Sequence, residues 1–224
     1  MKETGALVYW FDIAPDVRGD WLDWYMRDHM PSRVGTAFIA GRCYEAISAT
    51  ASHMVLFETA TPDLLLEPSY LKLLGTVSPE DAQRRGWYTN PVRTTARLHA
   101  KEGDGTGGVL GVIRITGTKA SRADISQCLT KDVLPKLAGI PKIGAVWVIE
   151  NDLDIRQKTD QARVTGHRDG SIDWAIFIEG GHSEDLTTAI ARLAGVASWN
   201  ALGLSTEAVI GQYRLLYTMV QKPA

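Results

Sequence analysis

The amino-acid sequence predicts an α+β fold built from two tandem β-α-β-β-α-β units whose antiparallel sheets face each other and close into a barrel-like core. Three observations carry this expectation. A glycine-rich break lies near the middle of the chain, the same order of strand-like and helix-like segments falls on each side of it, and three stretches of residues match in the same order.

The break is EGDGTGG at residues 102–108, whose glycines and polar side chains read as a linker. It divides the chain into a first unit at 1–102, a linker at 103–108 and a second unit at 109–224. In the first unit, residues 6–13, 37–47, 53–59 and 95–101 read as strands, and 20–30 and 64–74 as helices. In the second, 109–116, 143–150, 174–179 and 212–220 read as strands, and 123–137 and 184–193 as helices. YMRDHMPSRVG from Tyr25 lies over LTKDVLPKLAG from Leu129, so that Asp, Pro and Gly coincide. HMVLFE from His53 lies over WAIFIE from Trp174, and ARL from Ala96 over YRL from Tyr213. The offset is 104 at the first match and 121 at the second, which places an insertion in the polar stretch 151–171 of the second unit. That insertion reads as a lid or as an oligomer contact. One such unit makes a four-stranded sheet with helices on one face, and a second sheet can cover the other face with a cavity between them.

Composition narrows the function classes. The 224 residues carry a net charge of −2 from 24 basic and 26 acidic side chains, no footprint for nucleic acid or an anionic membrane. No apolar run is long enough to span a bilayer, and the first residues read as a strand rather than a signal peptide. Cys43 and Cys128 form neither a disulfide framework nor a metal spacing, and they read as two reduced thiols in a cytoplasmic protein. The β-α-β-β-α-β order also occurs in RNA-recognition modules, but the near-neutral charge and the missing aromatic motif oppose that reading. The glycines of 103–108 precede a strand rather than a helix, so they make no phosphate loop. Seven tryptophans are many for this length, and Trp10, Trp21, Trp24 and Trp87 fall in the first hundred residues. Aromatic walls suit a pocket for a flat ligand, although core packing uses tryptophan as readily.

The segment DWLDWYMRDHMP, Asp20 to Pro31, resembles the signature of the dimeric α/β-barrel superfamily, in particular its EthD-like branch: an aromatic-rich first helix ending in His-x-Pro. Gly41-Arg42-Cys43-Tyr44 is similar to the second-strand pattern that follows it. The resemblance implies a paired ferredoxin-like barrel, here fused in tandem. It also implies activities that range over cofactor-free monooxygenation, lactone isomerisation, polyketide cyclisation and haem-dependent reactions. Fold alone does not choose among them.

The candidate site centres on His29. Asp20 reads as the helix N-cap, and Pro31 stops the helix at Met30. Trp21, Tyr25, Asp28 and His29 then share one stripe, with the histidine in the last turn. The helix dipole and Asp28 favour the imidazolium and burial disfavours it, a balance that suits a proton shuttle near neutral pH. The second unit has Val133 where the first has His29. A capping role would be wanted in both units, whereas a site needs only one. Asp28 is matched by Asp132, Glu58 by Glu179 and Arg97 by Arg214, so these read as structural.

Tyr44 reads as a donor to a developing oxyanion, and Arg42, two residues away on the same strand face, as a bidentate grip for a carboxylate. Trp10, Tyr25, Trp24 and Trp87 are the expected pocket walls. His53 reads as structural and His99 stays open; His167 and His182 read as solvated. No metal or nucleotide cofactor is expected. Haem stays open because one histidine suffices to bind it.

The leading expectation is a small-molecule enzyme, of isomerase, lyase or cyclase type, moving protons on an aromatic or enolisable substrate. An oxidative enzyme of the same superfamily is the alternative, and a non-catalytic ligand-binding or stress-associated protein the third. A homodimer is left open.

Overall fold

The computed structural model describes residues 4–164, 169–194 and 208–222. Eight strands form one closed antiparallel barrel. They are β1 (Gly5–Asp12), β2 (Ala40–Ser48), β3 (His53–Thr59), β4 (Thr89–Glu102), β5 (Val109–Ile115), β6 (Ile143–Asn151), β7 (Trp174–Gly180) and β8 (Val209–Val220). Around the barrel the order is β1-β3-β2-β8-β5-β7-β6-β4. Read from its own last strand, each half has the same order: β4-β1-β3-β2 in the first and β8-β5-β7-β6 in the second. Two seams, β2 with β8 and β4 with β6, join the halves and leave no free edge.

The expected fold is therefore the observed one, an α+β barrel of ferredoxin-like halves, with its helices on the outside. Strand alternation sorts the apolar side chains into three cores. Ala6, Val8, Trp10, Tyr44, Met54, Leu56, Phe177 and Tyr213 pack inside the barrel. Phe11, Cys43, Val55 and Phe57 face out beneath the helices of the first half. Ile113, Ile115, Ile176 and Ile178 do the same in the second half.

The barrel interior is filled. Phe177 stacks on Trp147 with ring centroids 4.2 Å apart, and Trp10 lies parallel to Phe177 at 6.5 Å. Arg114 sits 5.2 Å over the Trp10 ring, a cation–π contact. The middle of the cavity expected between the sheets is thus a packed core, and a pocket remains at the barrel end beside Arg42, Glu58 and Glu179. Large aromatics pointing inward from β1, β6 and β7 occupy the space a ligand would need.

The first-half helix is α1 (Arg18–Trp24), which runs straight into a π-helical turn at Tyr25–His29. It begins two residues before Asp20, which is not the cap but an acidic residue in the first turn, where it complements the helix dipole. A 3₁₀ turn (Pro62–Leu66) leads into α2 (Pro68–Gly75), and α3 (Pro79–Arg85) follows. In the second half, α4 (Arg122–Cys128), a π turn at Leu129–Val133 and α5 (Leu134–Ala138) make one continuous rod. The two π turns fall on aligned residues, and each ends at the position that is His29 in one half and Val133 in the other. α6 (Leu153–Ala162) and α7 (Ser183–Ala194) complete the set.

Two element assignments need correction. α3 stands where a loop was expected, and β4 begins at Thr89 rather than at residue 95. The polar insertion is helical over α6, whose Ile155 enters the core of the other half beneath α2. The glycine segment 103–108 runs close against the backbone of the second half. A Cβ on Gly107 would stand 2.1 Å from the Gly180 carbonyl oxygen, and one on Gly103 would stand 2.3 Å from that of Gly144. The segment is laid directly against backbone, and the Gly107 N–H donates to Glu179 Oε2 at 2.9 Å.

Among the described residues no helix is long and apolar enough to cross a membrane. His167 lies outside the described residues.

Gly107→Ala should destabilise the chain by about 1–3 kcal/mol, because the clash is with backbone that cannot rotate away. Gly108→Ala, whose added Cβ meets nothing within 4 Å, should stay within about 0.5 kcal/mol of the parent. Urea unfolding of both variants measures the difference.

Candidate functional site

A cavity of about 710 Å³, counting the part open to solvent at its mouth, lies between the outer face of the first-half sheet and its helices. That size suits a small-molecule ligand. Sheet residues Leu7, Tyr9, Val55 and Phe57 make its floor, and Tyr25, His29, Arg33, Phe38, Tyr70, Arg85 and Tyr88 rise from helices and turns around it. Arg93 of β4 and Arg163, just past α6, form the far wall. On the matching face of the second half, Val133, Leu129, Leu134, Ile176 and Ile178 pack as aliphatic core among the described residues.

The π turn explains how His29 reaches this cavity. One extra residue per turn shifts the side chains that follow it, and such turns recur at functional sites. The His29 ring packs 4.6 Å from Trp24 and 5.0 Å from Tyr25, centroid to centroid. Trp24 is held in turn by α3: its Nε1–H donates to Asp81 Oδ1 at 3.0 Å. Trp21 Nε1–H donates to the Tyr88 hydroxyl at 3.0 Å, which fixes another wall of the cavity.

Burial dominates the electrostatics of His29. It pushes the imidazole pKa well below the ordinary value of 6.5, and the nearby Arg33 and Arg85 charges push it further the same way. The expected balance with Asp28 is not met, since Asp28 is exposed and is not among the groups that move this proton. His29 is therefore neutral over the physiological range, with a lone pair free to accept a proton or hydrogen bond. Burial likewise raises the phenols of Tyr25, Tyr70 and Tyr88, and that of Tyr9 to about 12, so all four keep their O–H.

The far wall is a charge network that ties α6 to the first half. Tyr9 O–H donates to Asp169 Oδ1 at 3.2 Å, and Arg163 pairs with the same carboxylate. Arg93 pairs with Asp160, which also binds Arg156 at 2.6 Å. Arg156 donates to the Arg93 carbonyl as well. The insertion expected to be a lid or a contact thus walls this cavity with Arg163.

The structure does not bring the predicted residues together. His29 and Tyr25 line the cavity, Trp24 backs His29, and the half-buried Trp87 packs on the same outer core. Tyr44 and Trp10 point the other way, into the barrel, and the sheet separates them from His29. Arg42 lies on the Tyr44 side, at one end of the barrel, where it pairs with Glu58 at 2.7 Å and Glu179 at 3.0 Å. His53 is fully buried beside Phe11 and Trp21, with Nδ1 2.9 Å from the Ser52 hydroxyl, and burial lowers its pKa to about 4. Arg33, Arg85, Arg93 and Arg163 were missed as site residues. Arg33 follows His29 by four positions, a spacing that would have exposed it had the chain been read as turning on past Pro31.

Among the described residues no group of three or more His, Cys, Asp or Glu is placed to hold a metal ion. Haem would need His29 as its ligand. A metal-bound imidazole is normally oriented through its other nitrogen by a carboxylate or carbonyl. No carboxylate lines the cavity, and no hydrogen bond to the His29 ring is formed among the described residues. This donor set does not fit an axial haem ligand.

No protein-family model matches the chain, and no curated protein matches it. Solved structures do. An anthrone oxidase-like protein is 13% identical, with 98% of this chain and 94% of that one covered, at a TM-score of 0.64. A Fusobacterium nucleatum protein provisionally assigned as a monooxygenase is 7% identical, with coverage of 98% and 95% and a TM-score of 0.63. A chlorite dismutase from Candidatus Nitrospira defluvii is 12% identical, with coverage of 94% and 90% and a TM-score of 0.52. At such identities the likeness shows the fold, a ferredoxin-like α/β barrel over nearly the whole length.

The His29 imidazole should titrate below 6.5 in an NMR pH series, and Arg85→Ala should raise its pKa by removing a neighbouring cation. The folded pKa lies below the unfolded one, so the unfolded chain takes up this proton first. The stability linked to His29 and His53 should be complete above about pH 6.5 and fall as the pH drops below it.

Proposed function

We propose that this chain is a small-molecule enzyme that removes a proton from a phenolic or otherwise enolisable aromatic substrate, with His29 as the general base. The observation that carries this reading is a neutral imidazole on a cavity walled by aromatic rings and four arginines, with no carboxylate among its described lining residues. In the proposed step the substrate C–H or O–H bond breaks and its proton moves to the free nitrogen of His29. The electron pair stays on the substrate as an enolate or phenolate. Guanidinium charge beside it stabilises the oxyanion in a partly enclosed site. Tyr9, Tyr25, Tyr70 and Tyr88 keep their protons and serve as hydrogen-bond donors or stacking surfaces.

Two outcomes follow from such an anion. It can be reprotonated or lose a leaving group, which is isomerase, lyase or cyclase chemistry. It can instead give an electron to dioxygen, the reaction type to which the names of the oxidase-like and monooxygenase neighbours point. Both begin with the same proton transfer, so the base is the shared commitment. Arg42 and Tyr44 take no part in it, and their proposed role is to hold the barrel interior. The tandem arrangement, with a site-bearing unit at 1–102 and a second unit at 109–224, completes the reading.

Anthrone tests the step. Under nitrogen, deuterium exchange at its acidic C–H reports proton removal alone, and under air oxygen uptake reports oxygenation. His29→Ala should slow exchange at least about a hundredfold, the usual scale for general base catalysis, with the far-ultraviolet spectrum unchanged. Exchange that is equally fast in the variant would end the assignment. Titration with haem should give no shifted Soret band.

A further inference from the structure

We infer that the natural ligand of this cavity carries an anionic group, a carboxylate or its equivalent on an aromatic frame, and that Arg33, Arg85 and Arg93 receive it. The inference rests on the reading of this cavity as the substrate site and adds the chemical class of what enters.

The cavity holds more positive charge than the protein neutralises. Around the far wall, Arg93, Arg156 and Arg163 share two carboxylates, Asp160 and Asp169. On the near side, Arg33 and Arg85 have no ion pair among the described residues. Arg33 is 7% exposed, and among the described residues its guanidinium makes one hydrogen bond, a long one, 3.4 Å from Nη1 to the Ser32 hydroxyl. Arg85 is half-buried and feels the Arg33 charge as a neighbour. Arg93 is 3% exposed, with Nη1 lacking any hydrogen-bond partner. All three line the same cavity as His29.

Buried charges without partners are rare because leaving water costs several kcal/mol per ion. Arginine cannot escape that cost by losing its proton. A buried and a half-buried guanidinium that repel each other on one aromatic cavity therefore describe a place prepared for an anion from outside. A carboxylate suits them because its two oxygens match the guanidinium fork. The aromatic floor and walls, Tyr9, Phe38, Phe57 and Tyr88, select a flat apolar body for the rest of the molecule. The same charge serves the chemistry. An anion docked on Arg33 and Arg85 would offset the two cations that help depress the His29 pKa, leaving burial as the influence that disfavours the imidazolium, while bringing an acidic C–H or O–H toward the ring.

Calorimetric titration with 2-naphthoate and with its neutral isostere 2-naphthamide tests the inference in the intact chain. Naphthoate should bind at least about tenfold more tightly than the amide and lose affinity as salt is raised. Arg85→Gln should weaken naphthoate about ten- to hundredfold while barely changing the amide. Arg33→Lys, which keeps the charge but not the fork, should give a smaller loss and guards against a glutamine variant that does not fold. Equal affinity for the two probes, or no measurable binding of naphthoate, overturns the inference. His29→Ala separates it from the proton-transfer reading. That variant should still bind naphthoate, so exchange as fast in His29→Ala as in the parent, with naphthoate binding intact, sinks the base and leaves the anion site standing. Intact exchange with no preference for the carboxylate does the reverse.

Discussion

Closure of the sheet is the constraint on which the rest depends. The β2–β8 and β4–β6 seams satisfy every edge, and in doing so they bring the inner faces of both halves together. Inward side chains must then fill that space, and Trp10, Trp147 and Phe177 do so by stacking. With the middle of the barrel committed to packing, the aromatic-walled cavity lies on the outer face of the first half, beneath its helices. The second half uses its outer face for a dry aliphatic core. The first half substitutes tyrosine, histidine and arginine for aliphatic residues and keeps the space open.

This division explains why a pocket can be added without endangering the fold. Its residues belong to one helix-on-sheet layer, while the barrel is held by side chains that point the other way along the same strands. Tyr9 and Trp10 are neighbours in sequence, yet one lines the cavity and the other stacks inside the barrel. Arg42 and Cys43 divide in the same manner between a salt-bridged barrel end and the outer core.

The strand pattern, the two-unit order and the singular position of His29 were legible in the sequence because each depends on local periodicity or on internal comparison. The face to which each strand residue points was not. Alternation says that Arg42 and Tyr44 share a face and Cys43 has the other. Both faces are buried, however, as apolar Met54 and Val55 also show, so nothing local says which lies under the helices. α3 and α6 escaped because their sequences, PEDAQRR and LDIRQKTDQA, lack an apolar stripe. Each is held mainly through polar anchors, Ser78 and Asp152 at the N-caps and the Arg93–Asp160 pair at the far wall. Contacts that span sixty or more residues, such as Tyr9 with Asp169, leave no trace in a window of sequence.

The position of α6 has a consequence for the order in which the molecule is made. The helix follows β6 directly, and β6 must pair with β4 before Arg163 and Asp169 can reach Tyr9 and Arg93. On the ribosome, the His29 side of the pocket therefore emerges well before its opposite wall. Until the second half arrives, the nascent first half presents an open, arginine-lined trough and two unpaired strand edges. The pocket's last wall therefore comes from the second half, although its floor and its histidine belong to the first.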